Sequence, residues 1–518
     1  MCGILFSSRK ELNNSDLKLL GHRGPDFAEI LNIEKLSFGH VRLSIQDLTA
    51  EGNQPFTNGK QVLLYNGEIY NSLYLKKKFN LKNSISSDTK ILFEGLNRYG
   101  IEFLHHVDGM YAILFFDGNC IFLARDPAGI KNLYYHFNEG DLIVSSEIKL
   151  IKKHIKLHTD QTSKIIFESF RFIPGPYTMY KEVKKLVSGE ILKFKIQNNQ
   201  LTLPEKSEIL FQPSKISFNS TIKNQLISDV PVAMLVSGGI DSSLLSSIYG
   251  NLKYYHSTNK TGFKSELGSV RKNKFLKDNL QVLELDNGVL DNTIVEQLEE
   301  PVSANSVVFL DSLMKSIKET VIIAGQGGDE LFFGYTRYRI ALLYDIVSNS
   351  QISYILLKRI KTKLSNYIIQ LIDAENNIER ISILLNGRSS NHLHKENLDE
   401  IINKYPDFEK LNKLSLLEAI VEFDRKYSLP DELLMYTDKI SMRYSKEVRV
   451  PLLSLNIKRL KPYSFEGIIN VIFPKITLRL KSIKNGVYPS LRKIGFEYDM
   501  RLSKKKLQEK VWTVLSQE

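Results

Sequence analysis

Position 2 is a cysteine, followed by Gly3. Removal of Met1 would leave Cys2 with a free α-amino group beside its own thiol, so one residue could supply both nucleophile and base. An α-amino group titrates at about 7.7 to 8.0 and a thiol at about 8.5, so proton exchange between them is nearly balanced at neutral pH. Gly3 lets a substrate approach the backbone closely. Hydrolysing an amino-acid side-chain amide further needs a cation for the α-carboxylate, an acceptor for the α-ammonium and donors for the tetrahedral oxyanion. Arg42, within Gly39-His40-Val41-Arg42-Leu43-Ser44-Ile45, carries a fork suited to a carboxylate. Asn66-Gly67-Glu68 ends the apolar run Val62 to Tyr65 and places an amide donor, a backbone N–H and a carboxylate in one turn. Asp88, in Ser87-Asp88-Thr89, is a second acceptor.

A second chemistry is written further along. Ser237-Gly238-Gly239-Ile240-Asp241-Ser242 stands between the apolar run Val232 to Val236 and a helical stretch from Ser243 to Tyr249. In that position backbone N–H groups and a helix N-terminus cradle phosphate. The lysine and spacing of a Walker loop are missing. The segment instead resembles the pyrophosphate-binding loop of enzymes that cleave ATP to AMP and pyrophosphate, which implies that Asp241 helps hold Mg²⁺. Gly325-Gln326-Gly327-Gly328-Asp329-Glu330 follows the run Val321 to Ala324. Ligands of open α/β sheets collect beyond the carboxyl ends of strands, where both loops fall. Asp329 is the candidate second metal ligand, unless it or Glu330 only caps the next helix.

The elements that must hold these groups differ in kind. The apolar runs Met110 to Phe116 and Cys120 to Ala124, joined by Asp117-Gly118-Asn119, predict a buried hairpin. Leu133 to Phe137 and Leu142 to Val144 repeat it, so the first part should be an antiparallel sheet structure. Cys120 reads as a core residue. A polar stretch with Pro204 and Pro213 reads as a linker. Beyond it, Val232 to Val236, Gln281 to Leu285 and Val321 to Ala324 are short buried strands separated by room for helical crossovers, which predicts a parallel α/β sheet. Ile340 to Val347 and Ile352 to Leu371 predict a mainly helical C-terminal portion.

The ordered set Cys2-Gly3-Ile4, His22-Arg23-Gly24-Pro25-Asp26, Gly39 to Ile45, Asn66 to Asn71, Ser87-Asp88-Thr89, Asp108-Gly109-Met110, Ala124-Arg125-Asp126-Pro127 and Ser145 to Lys149 resembles the class II amidotransferases, and within them the glutamine-hydrolysing asparagine synthetases. Ser228 to Val232, Glu300-Pro301, Gly334-Tyr335, Asp438 with Ser441-Met442, and Glu447 to Pro451 extend the resemblance. It implies an α+β N-terminal-nucleophile glutaminase domain with an αββα sandwich over residues 1–192, a linker at 193–220, and an α/β ATP-pyrophosphatase domain over 221–518. It further implies that Cys2 is the nucleophile, that Asn66 and Gly67 form the oxyanion hole, and that Arg42, Asn66, Glu68 and Asp88 bind glutamine. ATP would lie on Val236, Ser237, Gly238, Gly239, Asp241, Ser242, Gly325 and Gln326, with Mg²⁺ on Asp241 and Asp329. Lys475, followed by Ile476-Thr477-Leu478-Arg479 and Arg492 to Phe496, resembles the family's lysine near the phosphates. The implied partners are glutamine, ATP and an acceptor carboxylate, aspartate by the family's pattern, and a homodimer fits that pattern too.

Bulk properties bound the reading. A chain of 518 residues exceeds one ordinary hydrophobic core. Hydrophobic residues at 42% and charged residues at 25% fit a folded globular protein. No apolar run reaches the roughly 18 to 20 residues of a membrane-spanning helix, and no signal core follows the N-terminus, so a cytoplasmic protein without membrane insertion is expected. Two cysteines cannot build a disulfide framework. The net charge of +12 is spread over scattered lysine-rich pieces, and the glutamine clamp argues against a nucleic-acid partner.

Four departures from the family concern the second half. Gln326 stands where the family has glutamate, and an amide cannot act as a general base. Lys439 replaces an arginine, Ser454 replaces an aspartate, and the segment between Tyr255 and Leu285 is short, with Ser265-Glu266 for its acidic pair. These changes leave a second acceptor open, such as a sugar uronate of surface-polysaccharide synthesis.

Overall fold

A computed structural model describes residues 2–81, 87–214, 216–259, 266–285, 290–303, 306–348, 351–360, 362–386, 395–457, 459–485 and 504–516. Ser265 and the segment 492–496, both used in the sequence reading, lie outside the described residues.

Two antiparallel sheets form the first part. One has six strands in the order Lys184–Lys185, Tyr134–Asn138, Asp141–Ser145, Cys2–Ser7, Leu36–Arg42 and Phe27–Ile33. The seven-stranded second sheet runs Gln200–Leu201, Glu190–Gln197, Cys120–Arg125, Gly109–Phe116, Val62–Ile69 and Phe56–Thr57, with Glu205–Glu208 also paired to Glu190–Gln197. Side-chain alternation along each strand decides the layers. Val62 and Leu64 join Ile4, Phe6, Phe38 and Leu114 between the sheets. Leu63 and Tyr65 point the other way, against Leu92 and Leu96 of the helix Asp88–Tyr99. The helices Asn14–Leu20 and Ile148–His154 cover the far face of the first sheet, with Leu17, Leu20 and Ile151 packed on Leu5 and Val41. The result is the expected αββα sandwich. Truncating Phe38, fully buried between the sheets, would cost about 3–5 kcal/mol.

The later part centres on a five-stranded parallel sheet in the order Leu280–Leu285, Lys253–Asn259, Val232–Leu235, Val321–Ile323 and Glu447–Arg449. The predicted strands near 232, 281 and 321 are present, and the sequence reading missed Lys253–Asn259 and Glu447–Arg449. Helices dominate afterwards. The single stretch expected from 352 to 371 is two helices, Gln351–Ile360 and Lys363–Asp373, because Thr362 and Ser365 form a capping box that starts the second one afresh.

Residues 193–208, read as part of a linker, are instead largely sheet. Glu205–Glu208 is an exposed edge strand whose pairing needs only backbone N–H and C=O groups, so it leaves no apolar pattern to read. Cys120 is only half-buried, at the start of its strand.

Candidate active sites

Cys2 opens the first strand and lies opposite Arg42 in the ladder with Leu36–Arg42. It is 7% exposed. Its backbone nitrogen donates to Asn66 Oδ1 at 2.9 Å. Asn66 is fully buried, and its Nδ2 has no partner among the described residues. An orphaned buried donor costs about 1–3 kcal/mol, so this one is held ready for an acceptor the protein does not supply. Burial opposes ionisation of the Cys2 thiol, but His40 and, with Met1 still in place, the chain's terminal ammonium outweigh it and bring the thiol to about 6. His40, two residues before Arg42, shares its face of the strand and holds Tyr65 O through Nε2 at 3.2 Å. His40 is a site residue that the sequence motifs alone do not single out. The period of two shared with Arg42 was the available signal.

A cavity beside the thiol is bounded by Cys2, Arg42, Gln46, Gly67, Glu68 and Asp88, so three of the four predicted glutamine ligands meet there, while Asn66 stands behind it on the Cys2 nitrogen. Gly67 is required there, since a Cβ would meet Met110 O at 2.1 Å. Asp88 accepts from Tyr65 Oη at 2.9 Å, Ile69 N at 3.3 Å and Thr89 N at 2.7 Å. Burial nonetheless raises its carboxyl above the ordinary range. Glu68 accepts from Gln46 Nε2 and, at 3.0 Å, from Arg449 of the parallel sheet. Burial, with Asp88 beside it, pushes the Glu68 carboxyl well up, against the pull of Arg449. Arg42 differs from the expected free fork. Its Nη1 holds Thr49 O at 2.8 Å and Asn53 Oδ1 at 2.7 Å, and its Nη2 holds Gln46 O and Asp47 O. The loop 46–53 thus takes both prongs, and the guanidinium meets the cavity as a fixed charged wall.

The second site lies at the carboxyl ends of the parallel strands. Gly238, at φ +86°, and Gly239 carry the chain into the helix Ile240–Tyr249. Ser242 Oγ closes the loop by accepting from Ser237 N at 3.2 Å. Val236 is buried and pairs with Tyr255 O. The two glycine loops touch: a Cβ on Gly325 would meet that of Asp241 at 3.0 Å, and one on Gly328 would meet Asp241 Oδ1 at 2.4 Å. Gly327 is the N-cap of the helix Gly328–Leu331 and offers no side chain to cap it. Lys475 is 4% exposed and sits between the loops, its ammonium paired with Asp241 and, at 2.8 Å, with Asp329. Burial works against the charge on Lys475, and the two carboxylates more than restore it, raising its pKa. Two carboxylates converging on one cation fit a Mg²⁺ that takes its other ligands from phosphates and water. Gln326 Nε2 donates to Thr437 Oγ1 at 3.0 Å, a partner absent from the sequence reading. Glu330, which accepts from Tyr335 Oη at 2.6 Å, is raised to about 7 by burial and by Asp329.

Between the sites runs a buried ionic seam. Arg23 Nε donates to Cys2 O at 3.1 Å, Nη1 to Glu147 at 3.0 Å and Nη2 to Asp438 at 2.9 Å. Lys131 reaches Asp438 from the sandwich at 3.1 Å. A small cavity along this seam is bounded by Ile130, Lys131, Thr437, Asp438, Val448 and Val450. Two of the departures lie on the seam and not around the ATP loops. Lys439 pairs with Glu299 and faces the Tyr134 ring at 4.6 Å. Ser454 donates to Asp108 at 2.8 Å, where an aspartate would set two carboxylates against each other.

An antiparallel αββα sandwich opened by a cysteine strand, joined to a parallel α/β sheet with paired glycine loops, defines an N-terminal-nucleophile amidotransferase fold fused to a nucleotide-binding type of domain. The glutamine amidotransferase domain model matches residues 1–205 and the asparagine synthase model residues 215–459. The chain is similar to a putative glutamine-hydrolysing asparagine synthetase of Methanocaldococcus jannaschii, at 31% identity over 391 residues, covering 65% of this chain and 76% of that protein. It is similar to glutamine-hydrolysing asparagine synthetase 1 of Bacillus subtilis, at 30% identity, covering 64% of this chain and 57% of that protein. The amidase chyE of Penicillium rubens is 27% identical, with 64% and 56% covered, so the chain spans little over half the length of these last two. The chain belongs to the glutamine-hydrolysing asparagine synthetase family, a family of ATP-using ligases. No helix among the described residues is long and apolar enough to cross a membrane.

Proposed function

We propose that this enzyme forms a carboxamide from an acceptor carboxylate, ATP and ammonia released from glutamine at Cys2, and that the acceptor is aspartate. The observation that carries the reading is Asn66: its Oδ1 orients the Cys2 nitrogen while its Nδ2 is buried and unpaired. With Met1 removed, that nitrogen is the α-amine, which takes the thiol proton as Sγ attacks the glutamine side-chain amide. The oxyanion receives Asn66 Nδ2–H and the Gly67 N–H, the amine returns the proton to the departing ammonia, and water then releases glutamate from the thioester. Glu68 and Asp88 take the substrate's ammonium, and Arg42 faces its carboxylate.

In the second domain an acceptor carboxylate oxygen attacks the α-phosphorus of ATP and pyrophosphate leaves; ammonia then attacks the acyl carbon and AMP leaves. Val236, Ser237, Gly238, Gly239, Ser242, Gly325 and Gln326 form the nucleotide cradle. Asp241 and Asp329 would hold Mg²⁺, which when bound offsets the charge of the leaving pyrophosphate. Lys475 serves as a point charge for the same oxygens. The cavity along the seam supports ammonia passing within the protein.

Gln326 favours a second reading, the same reaction on another carboxylate, because its amide cannot draw a proton from the attacking ammonia. Purified enzyme given glutamine, ATP, Mg²⁺ and aspartate is expected to yield asparagine, AMP and pyrophosphate. Active glutamine hydrolysis with aspartate left unchanged would reject aspartate, and a screen of carboxylates for pyrophosphate release would then find the acceptor.

A further inference from the structure

Glu68 is held from two sides. Gln46, from its own domain, donates to Oε1. The other oxygen is met by Arg449, which belongs to the parallel sheet of the ATP domain. Arg449 is fully buried and every arm is fixed: Nε donates to Glu447 at 2.6 Å, Nη1 to Gln225 O at 2.7 Å and Ile227 O at 2.6 Å, and Nη2 to Glu68 at 3.0 Å. Its carbonyl accepts from Ala324 N at 2.9 Å, one residue before the Gly325-Gln326 loop. A single residue therefore joins the ammonium-binding carboxylate to the start of the second nucleotide loop.

The charge count gives this contact a function. Glu68, Asp88 and Glu447 form a buried acidic cluster, and Tyr65 and Tyr70 face it as neutral phenols. Against them stands Arg449, with Lys131 acting on Glu447 from further along the seam. Arg449 is shared by Glu68 and Glu447. Asp88 accepts only from Tyr65, Ile69 and Thr89, so a glutamine α-ammonium would find carboxylate charge beside Glu68 that no side-chain cation pairs among the described residues. We propose that Arg449 is a positioning residue that favours the ionised form of Glu68 and aims it at that ammonium, so that glutamine recognition depends on the strand Glu447–Arg449 of the ATP domain. The proposal rests on the reading of Glu68 as a glutamine ligand.

The test measures glutamine KM and kcat for ammonia release across neutral to alkaline pH, with ammonia-driven carboxamide synthesis as a parallel readout, in the full chain. Arg449→Lys loses the second hydrogen-bonding arm, so Glu68 holds its proton more tightly. Glutamine KM is expected to rise about tenfold for each unit by which Glu68 shifts upward, to recover as pH rises, and to change with little loss of kcat. Glu447→Gln is nearly isosteric and guards against a folding defect in the first variant. It frees Arg449 for Glu68 alone, so KM is expected to fall and its pH dependence to move to lower pH. The proposal is overturned if Glu447→Gln leaves KM and its pH profile unchanged, or if Arg449→Lys lowers kcat and ammonia-driven synthesis together at all pH values. Glu68→Gln separates the two levels. If that variant leaves KM unchanged, the glutamine-site reading itself fails; if it raises KM while the Arg449 and Glu447 variants do nothing, only the present proposal fails.

Discussion

The two sites are prepared in opposite ways. Around Cys2 the groups that would meet substrate are already set: Asn66 is fixed through Oδ1 with Nδ2 unpaired, and the loop 46–53 immobilises Arg42. Around the glycine loops two acidic groups share the one ammonium of Lys475. The contrast follows from what each substrate brings. Glutamine is small and nearly neutral overall, so its site must supply preformed donors and charges. ATP brings strong negative charge, and Asp241 and Asp329, both only partly buried, would repel it and each other without a cation between them. Lys475 relieves that repulsion.

The comparison breaks most sharply at Cys2. Cys2→Ala is expected to abolish glutamine-dependent ammonia release while ammonia-driven synthesis continues; parallel loss of both, measured by glutamate and pyrophosphate production, would falsify the division of labour. Next in size, Lys475→Met should lower pyrophosphate formation by about a hundred- to a thousandfold and leave glutamine hydrolysis standing. An unaltered pyrophosphate rate would reduce Lys475 to a structural cation. Asn66→Ala removes the unpaired donor and the hold on the Cys2 nitrogen, so kcat for hydrolysis should fall at least about a hundredfold with a smaller change in KM. Steady-state kinetics that move only KM would contradict an oxyanion role.

Smaller effects probe the seam and the thiol. Ser454→Asp places a carboxylate against Asp108, whose own carboxyl is already raised by burial. A loss of about 1–3 kcal/mol at neutral pH is expected in urea unfolding. The sign is fixed: the folded pair holds a proton more tightly than the unfolded chain does, so the deficit should shrink as pH falls. A deficit that grows in acid would refute the contact. Finally, alkylation of Cys2 should rise with pH through a midpoint of about 6 and level off above it, and His40→Gln should move that midpoint upward.

The glycine loops were legible because each is one contiguous segment. Asn66-Gly67-Glu68 was legible as a contiguous triplet too, but it lies within the strand Val62–Ile69 and not in the turn expected, because Ala112, Tyr111 and Met110 extend its pairing. The hairpin of Gly109–Phe116 and Cys120–Arg125 was legible from unbroken apolar runs. Glu447–Arg449 was not read as a strand, because three residues carry no period and only pairing with Val321–Ile323 defines them. The edge strand Glu205–Glu208 was taken for linker because it buries backbone bonds and no side chains. Lys439 and Ser454 were assigned to acceptor choice because they fall late in the chain. Their partners, Glu299 and Asp108, are remote in sequence: Ser454 meets Asp108 across the seam, and Lys439 meets Glu299 beside it within the ATP domain.

By itself the sequence determined the family and pointed to the two chemistries and the groups that would carry them, because those groups fall in short contiguous motifs that can be read whether the segment folds as strand, helix or loop. Tertiary structure alone decided that Arg42 is spent on its own loop, that Lys475 bridges Asp241 and Asp329, and that Arg449 reaches Glu68. Each of these joins residues far apart in the chain through buried charges. Which buried charge meets which is settled by how the sheets and helices pack, and no local pattern records it.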